Sequence, residues 1–70
     1  MPRYTAWKTV IDGTEKKHRG QNATYTWLNE SALNLPDGTR IAVLVQEQHA
    51  GDHWYTYEDL VVRNGQLNNA

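Results

Sequence analysis

The apolar run from Ile41 to Val45 constrains the fold more than any other stretch of this sequence. It contains no polar residue and ends at Gln46 and Glu47, which is typical of a strand buried on both faces. Pro36-Asp37-Gly38 precedes it and predicts a turn, because Pro presets φ, Asp bonds its own backbone and Gly accepts a positive φ. A fold built on this strand therefore needs material to cover two faces.

The composition predicts one small domain, 1–70, with a thin core. A domain of this size buries only about 60% of its unfolded surface. The chain has 39% hydrophobic residues, no Phe and no Cys, so three Trp and four Tyr residues supply much of the core and no disulfide supports it. The lack of Cys favours a cytoplasmic protein. No apolar run is long enough for a membrane span or a signal peptide, so we expect no membrane partner.

The net charge of −1 hides an asymmetry along the chain. Residues 1–20 carry five basic against two acidic side chains, whereas residues 21–70 carry two basic against six acidic ones. A general nucleic-acid-binding protein is usually plainly basic. The overall charge therefore argues against that class.

Further segments predict strands, because they alternate polar and apolar residues or are rich in β-branched and aromatic residues. These segments are Tyr4–Ile11, Trp54–Tyr57, Leu60–Arg63 and, after an Asn64-Gly65 turn, Gln66-Leu67. We expect Trp54–Tyr57 to run antiparallel to the 41–47 strand across a hairpin loop at 48–53. Glu58-Asp59 is expected to interrupt the returning strand, and residues 68–70 are expected to fray.

The polar stretch after Tyr4–Ile11 has two interpretations. Asp12-Gly13 is a turn signal that could close a tight hairpin, with Thr14–His18 as the return strand. The favoured interpretation is a longer polar loop over residues 12–22, because the charged residues there offer nothing to bury.

Residues 23–35 are ambiguous between strand and helix. As a strand, Ala23–Leu28 alternates and has high β-propensity. As a helix, Tyr25, Leu28 and Ala32 lie near one face. The mediocre helix propensity of Thr, Tyr, Trp, Asn and Ser favours the strand. A helix would explain better what covers the second face of the central strand.

The sequence thus predicts a mainly β fold, a small antiparallel barrel or sandwich of SH3-like or OB-like size with one short helical segment at 29–33. The alternative is an α+β fold in which a helix at about 23–34 packs on an antiparallel sheet. In either fold, a homodimer would cover the second face of the 41–45 strand.

Residues able to support catalysis or bind a metal are sparse. His49 and His53 lie four positions apart beside Asp52, but the residues between them indicate a loop, and His18 is distant. Zinc sites usually need three or four ligands on ordered elements. Ser31, the only Ser, lacks the pattern of a nucleophile elbow. We therefore predict no metal site, no cofactor and no enzyme activity.

The strand that returns after the central one, with the acidic residues that follow it, predicts a partner-binding surface. Alternate residues of a strand share a face, and Tyr and Trp are enriched at binding hot spots. The nearby carboxylates favour a basic protein partner over nucleic acid, which they would repel. The predicted partner-binding residues are Trp54, Tyr55, Tyr57, Glu58 and Asp59.

A basic cluster supports an alternative. Lys16, Lys17, His18 and Arg19 are consecutive, and with nearby aromatic rings they could bind the backbone and bases of a single-stranded nucleic acid. The leading functional prediction is a non-enzymatic protein-interaction module, a small inhibitor or adaptor of the type that phages and mobile elements make. The alternative is a nucleic-acid-binding small β domain that uses this cluster.

Overall fold

The computed structural model describes residues 3–49 and 51–70, which form one antiparallel sheet covered on one side by a helix. The elements are β1 Tyr4–Ile11, β2 Thr14–His18, α1 Gln21–Ser31 with a 3-10 turn at Ala32–Asn34, β3 Arg40–Glu47, β4 Tyr55–Arg63 and β5 Gln66–Asn69. The strand order is β2-β1-β3-β4-β5, so the sheet is open and β3 is its central strand. The mainly β class with one short helical segment is confirmed; a barrel or a sandwich stays a prediction.

Two tight hairpins join neighbouring strands through turns with positive φ. Asp12 and Gly13 have φ of 51° and 79°, and Asn64 and Gly65 have φ of 54° and 71°. Two consecutive positive φ values are the signature of the type I′ turn, which matches the twist of antiparallel strands. The long polar loop expected over residues 12–22 is therefore wrong, because the Asp-Gly turn outweighs the absence of buried side chains in β2.

The turn before β3 is confirmed, and it also anchors the β4–β5 hairpin. Thr39 N–H and Oγ1 donate to the carbonyl of Pro36 at 3.1 and 2.7 Å. Asp37 Oδ1 accepts from the backbone N–H of Asn64 at 2.7 Å, whereas the sequence predicted a bond to its own backbone. Gly38 N–H donates to the carbonyl of Val62 at 2.7 Å. This turn therefore fixes where β4 lies relative to β3.

The helix covers one face of the sheet and closes the core. Leu28 is fully buried, as are Thr24 one turn earlier and Ala32 just after the helix. Their spacing of four residues places them on one face, which packs on Trp7 and on the inner side chains of β3 and β4. The inner side chains are Ile41, Val43, Val45, Leu60 and Val62. The strand expected at 23–28 is wrong and the helical alternative is correct.

The opposite face of the sheet, called here the open face, is only partly buried. Ala42 and Leu44 of β3 and Val10 of β1 keep intermediate exposure. The prediction that β3 is buried on both faces is therefore right for its helix-facing side chains only. No second layer from the described part of the chain covers the other side, and the expected homodimer stays a prediction.

The chain after β3 follows the predicted hairpin, with differences. The expected loop at 48–53 connects β3 to β4, and its residue 50 lies outside the described residues. β4 continues through Glu58-Asp59, where an interruption was expected. Asn68 and Asn69, which the sequence predicts to fray, pair with Val61 and Leu60.

Because only the helix side of the sheet is fully buried, replacing Leu28 and replacing Leu44 should change the free energy of unfolding by different amounts. Replacing Leu28, which is fully buried under the helix, by Ala should lower the free energy of unfolding by about 2–5 kcal/mol. The same substitution at half-exposed Leu44 should cost roughly 1 kcal/mol, because less apolar surface is lost. Urea denaturation of both variants measures the difference. Equal losses would contradict an uncovered open face.

Candidate interaction surface

An irregularity in β4 decides which side chains point to the helix side of the sheet. Leu44 pairs with Thr56 and Val43 pairs with Glu58, so Tyr57 is an extra residue in β4. Directly paired residues share a face of the sheet. A β-bulge of this kind lets two consecutive side chains of one strand serve the same face. Glu58 therefore faces the helix side like its neighbour Tyr57, whose ring contacts buried Trp7.

Three aromatic rings pack edge-to-face at the end of the sheet near the start of α1. The Tyr57 ring lies 4.8 Å from the ring of Trp7 and 5.6 Å from that of Tyr4, and Tyr4 lies 5.7 Å from Trp7. The Tyr57 hydroxyl also accepts a hydrogen bond from Gln21 Nε2 at 3.2 Å. Edge-to-face pairs add stability beyond their buried area, so these contacts hold Tyr57 in one place.

Tyr55 extends this cluster toward solvent. It pairs with the buried Val45 and so lies on the helix side, with its ring 4.4 Å from that of His53. Tyr55 is 42% exposed and Tyr57 39% exposed, and they are the large hydrophobic side chains exposed in the described part of the chain. We call Tyr4, Tyr55 and Tyr57 the aromatic surface.

Glu58 is held by a structural contact within the fold. Tyr25 of α1 donates a short hydrogen bond from its hydroxyl to Glu58 Oε1. Burial raises the pKa of Tyr25 well above its ordinary value, and the hydrogen bond and charge of Glu58 raise it further. The contact ties the helix to β4 beside the aromatic surface.

The Tyr25–Glu58 contact should be measurable as stability. We expect Tyr25→Phe to lower the free energy of unfolding by about 1.5–3 kcal/mol, the usual range for a hydrogen bond to a charged group. Thermal or urea unfolding near neutral pH measures the loss. An unchanged midpoint would show that Glu58 does not depend on this hydroxyl.

The predicted partner-binding residues do not form one surface. Tyr55, Tyr57 and Glu58 lie together on the helix side. Asp59 pairs with Ala42 on the open face, and Trp54 lies there too, with its ring 4.3 Å from Lys8 Nζ. Tyr55 and Tyr57 share a face and Trp54 lies on the other, as the alternation of a strand predicts. The bulge in β4 sends consecutive residues to faces that simple alternation does not give.

The predicted basic cluster is also divided, because it forms an edge strand rather than a loop. Lys16 and His18 face the helix side, where Lys16 Nζ lies 5.7 Å and the His18 ring 5.2 Å from the ring of Trp27. Lys17 pairs with Lys8 and faces the open side. Three of the four predicted residues thus belong to a strand whose alternation separates their side chains.

The His18 ring contacts both the neighbouring strand β1 and the helix, where it lies against Trp27. Its Nε2 lies 2.9 Å from Thr9 Oγ1 of β1. Burial lowers the pKa of His18, and the charge of Lys16 lowers it further. The unfolded chain, in which the His18 pKa is about 6.5, therefore binds a proton on this ring more readily than the folded chain does. As the pH falls from 6.5 toward the lower pKa of the folded state, His18 makes the fold less stable.

The cause of the lowered His18 pKa can be tested with neighbouring lysines. We expect Lys16→Gln to raise the pKa of His18 toward its ordinary value, because it removes a charge on the same face. Lys17→Gln, on the opposite face, should change it less. Titration of the His18 ring protons by NMR measures both. A larger effect from Lys17→Gln would contradict the faces assigned to β2.

A groove of about 590 Å³ crosses the end of the sheet and contains residues from both predicted sites. β2 ends where His18 pairs with Trp7, so β1 extends past its neighbour and leaves a step. The residues around the step that matter chemically are Thr5, Lys17, Arg19, Gln46, Asp52 and Trp54. The sequence analysis could not predict that these residues line one groove, because no local pattern links β2 to the loop before β4.

Comparisons with known proteins add no relationship to this geometry, since no family model, curated protein or solved structure matches the chain. Within residues 3–49 and 51–70, no three His, Cys, Asp or Glu side chains are grouped so that they could hold a metal ion. Over the same residues, no helix has the length and hydrophobicity needed to cross a membrane.

Proposed function

We propose that this chain is a non-enzymatic protein-interaction module that occupies the surface of a partner protein through its aromatic surface. The observation that carries the proposal is the exposure of Tyr55 and Tyr57 on one side of one strand. Large apolar side chains placed together on a surface are typical of a binding site. Tyr is also among the residue types that contribute most to protein interfaces.

Preorganisation supports this role. Tyr57 is already held by Trp7, Tyr4 and Gln21, so little rotamer freedom remains to be lost on binding. Trp7 beneath it is only 5% exposed, so its ring cannot move without disturbing the core. A partner therefore meets a rigid aromatic platform on a β-strand.

The charge beside the platform favours a basic partner. Glu47 pairs with Tyr4 and so lies on the same side of the sheet, and Glu58 follows Tyr57 directly. Carboxylates at the rim attract cationic side chains and disfavour acidic partners. The small size and the absence of Cys suit a cytoplasmic inhibitor or adaptor of the phage or mobile-element type.

A matched pair of substitutions in β4 tests this function. Tyr55→Ser should weaken partner binding by about 2 kcal/mol, roughly 30-fold in Kd, as for an interface hot spot. Thr56→Ala, which changes an exposed neighbour on the open face, should leave the Kd nearly unchanged. The partner is first captured from native cells and identified by mass spectrometry, and purified proteins are then titrated by calorimetry.

Circular dichroism of each variant separates lost binding from lost folding. Tyr55 is exposed and lies outside the core cluster, so both variants should keep the native spectrum. A folded Tyr55→Ser variant that binds the partner as tightly as the natural chain would refute the proposed surface. Equal weakening by Thr56→Ala would place the contact on the open face.

A further inference from the structure

We propose that the groove at the end of the sheet binds a nucleoside phosphate, either free or as one unit of a single-stranded nucleic acid. The base would lie against Trp54 and the phosphate between Lys17 and Arg19. The groove, of about 590 Å³, falls within the roughly 300–1,000 Å³ typical of small-molecule sites. This site is separate from the aromatic surface and does not depend on it.

Trp54 is positioned by the fold and remains partly exposed. Lys8 Nζ lies 4.3 Å from the centre of its ring, and the same Nζ forms an ion pair with Glu15 Oε1 at 3.0 Å. Lys8 itself is 8% exposed, so this anchor is shielded from water. A ring held in this way gives a base a fixed platform, and base–aromatic stacking accepts any base.

Lys17 places a positive charge beside that platform. It pairs with Lys8 across β1 and β2, and adjacent strands lie about 4.8 Å apart. Among residues 3–49 and 51–70, the ion pair present is Lys8–Glu15, so neither Lys17 nor Arg19 has a carboxylate partner there. Two cations without partners at one end of a groove favour an anionic group such as phosphate.

The side of the groove formed by β3 and the segment before β4 suits the base. Asp52 and Gln46 line it together with Trp54. The Asp52 carboxylate would repel a phosphate but can accept hydrogen bonds from the amino groups of a base, and the Gln46 amide can both donate and accept. The groove therefore has a direction, with phosphate at the β2 end and base at the end next to β4.

Lys16 provides an internal control because it differs from Lys17 only in the face that it occupies. Its Nζ lies 5.7 Å from the ring of Trp27 on the helix side, and it does not line the groove. Replacing either lysine by Gln removes one charge from the same exposed strand. General electrostatic attraction would respond equally to both changes, whereas a site in the groove responds to Lys17.

The test measures fluorescence anisotropy of a labelled single-stranded oligonucleotide at low and raised salt. The natural chain should bind, and Lys17→Gln or Arg19→Gln should weaken binding about fivefold near 0.1 M salt. Each change should also reduce the magnitude of the slope of log K against log salt concentration by about 0.7. Lys16→Gln should stay within about twofold of the natural chain. Equal losses at Lys16 and Lys17, or no binding of either the oligonucleotide or AMP at low salt, would overturn the proposal.

NMR provides a second readout and identifies the source of the ligand. Either AMP or the oligonucleotide should shift the indole N–H resonance of Trp54 more than that of Trp27. A shift with AMP comparable to that with the oligonucleotide identifies a free nucleotide, and a shift with the oligonucleotide alone identifies a single strand. An unmoved Trp54 resonance with both would overturn the proposal, whatever the binding curves show.

Trp54→Leu, with its fold checked by circular dichroism, should weaken binding by about fivefold or more.

Discussion

Burial of one face of β3 beneath α1 is the constraint on which the rest of this structure depends. Val43 and Leu28 are both fully buried, and both belong to the apolar cluster that the described residues form between helix and sheet. A chain of this size has enough apolar material for one such layer. The sheet therefore has one dry side and one side that must be compatible with water. Both candidate surfaces follow from this asymmetry, since each lies where the helix does not reach.

The bulge at Tyr57 places an acidic side chain beside the exposed aromatic rings at the edge of this layer. Strict alternation from Tyr55 would place Tyr57 on the helix side but Glu58 on the open face. The bulge places Glu58 on the helix side as well, next to Tyr57 and near the start of α1. The helix is too short to cover the end of the sheet, so the aromatic rings there form the boundary between core and solvent. Tyr25 then secures this boundary by holding Glu58.

The sequence alone predicted β1, most of β4 and β5, the tight turn before β5 and the central position of β3, because local periodicity and turn chemistry carry that information. It favoured a polar loop where β2 lies. It ranked the helix below a strand at 23–28, since Thr24, Tyr25 and Trp27 favour strands and only the spacing of Leu28 and Ala32 points to a buried helical face. The division of the candidate sites was also beyond sequence reasoning. Pairing register and a one-residue bulge decide which side chains meet, and both depend on contacts distant in sequence.

Lys8 explains how the open face can remain in water without presenting a large apolar patch. It pairs with Leu44 across the sheet, and its ammonium group forms an ion pair with Glu15 and lies 4.3 Å from the centre of the Trp54 ring. Long cationic side chains commonly cover apolar surface in this way while the charged group keeps a partner. A purely apolar partner packed on this face would have to remove the Glu15 carboxylate, whose side chain is 56% exposed, from water, which is costly. The same side chain that protects the open face therefore also orients Trp54, and so couples the stability of the sheet to the shape of the groove.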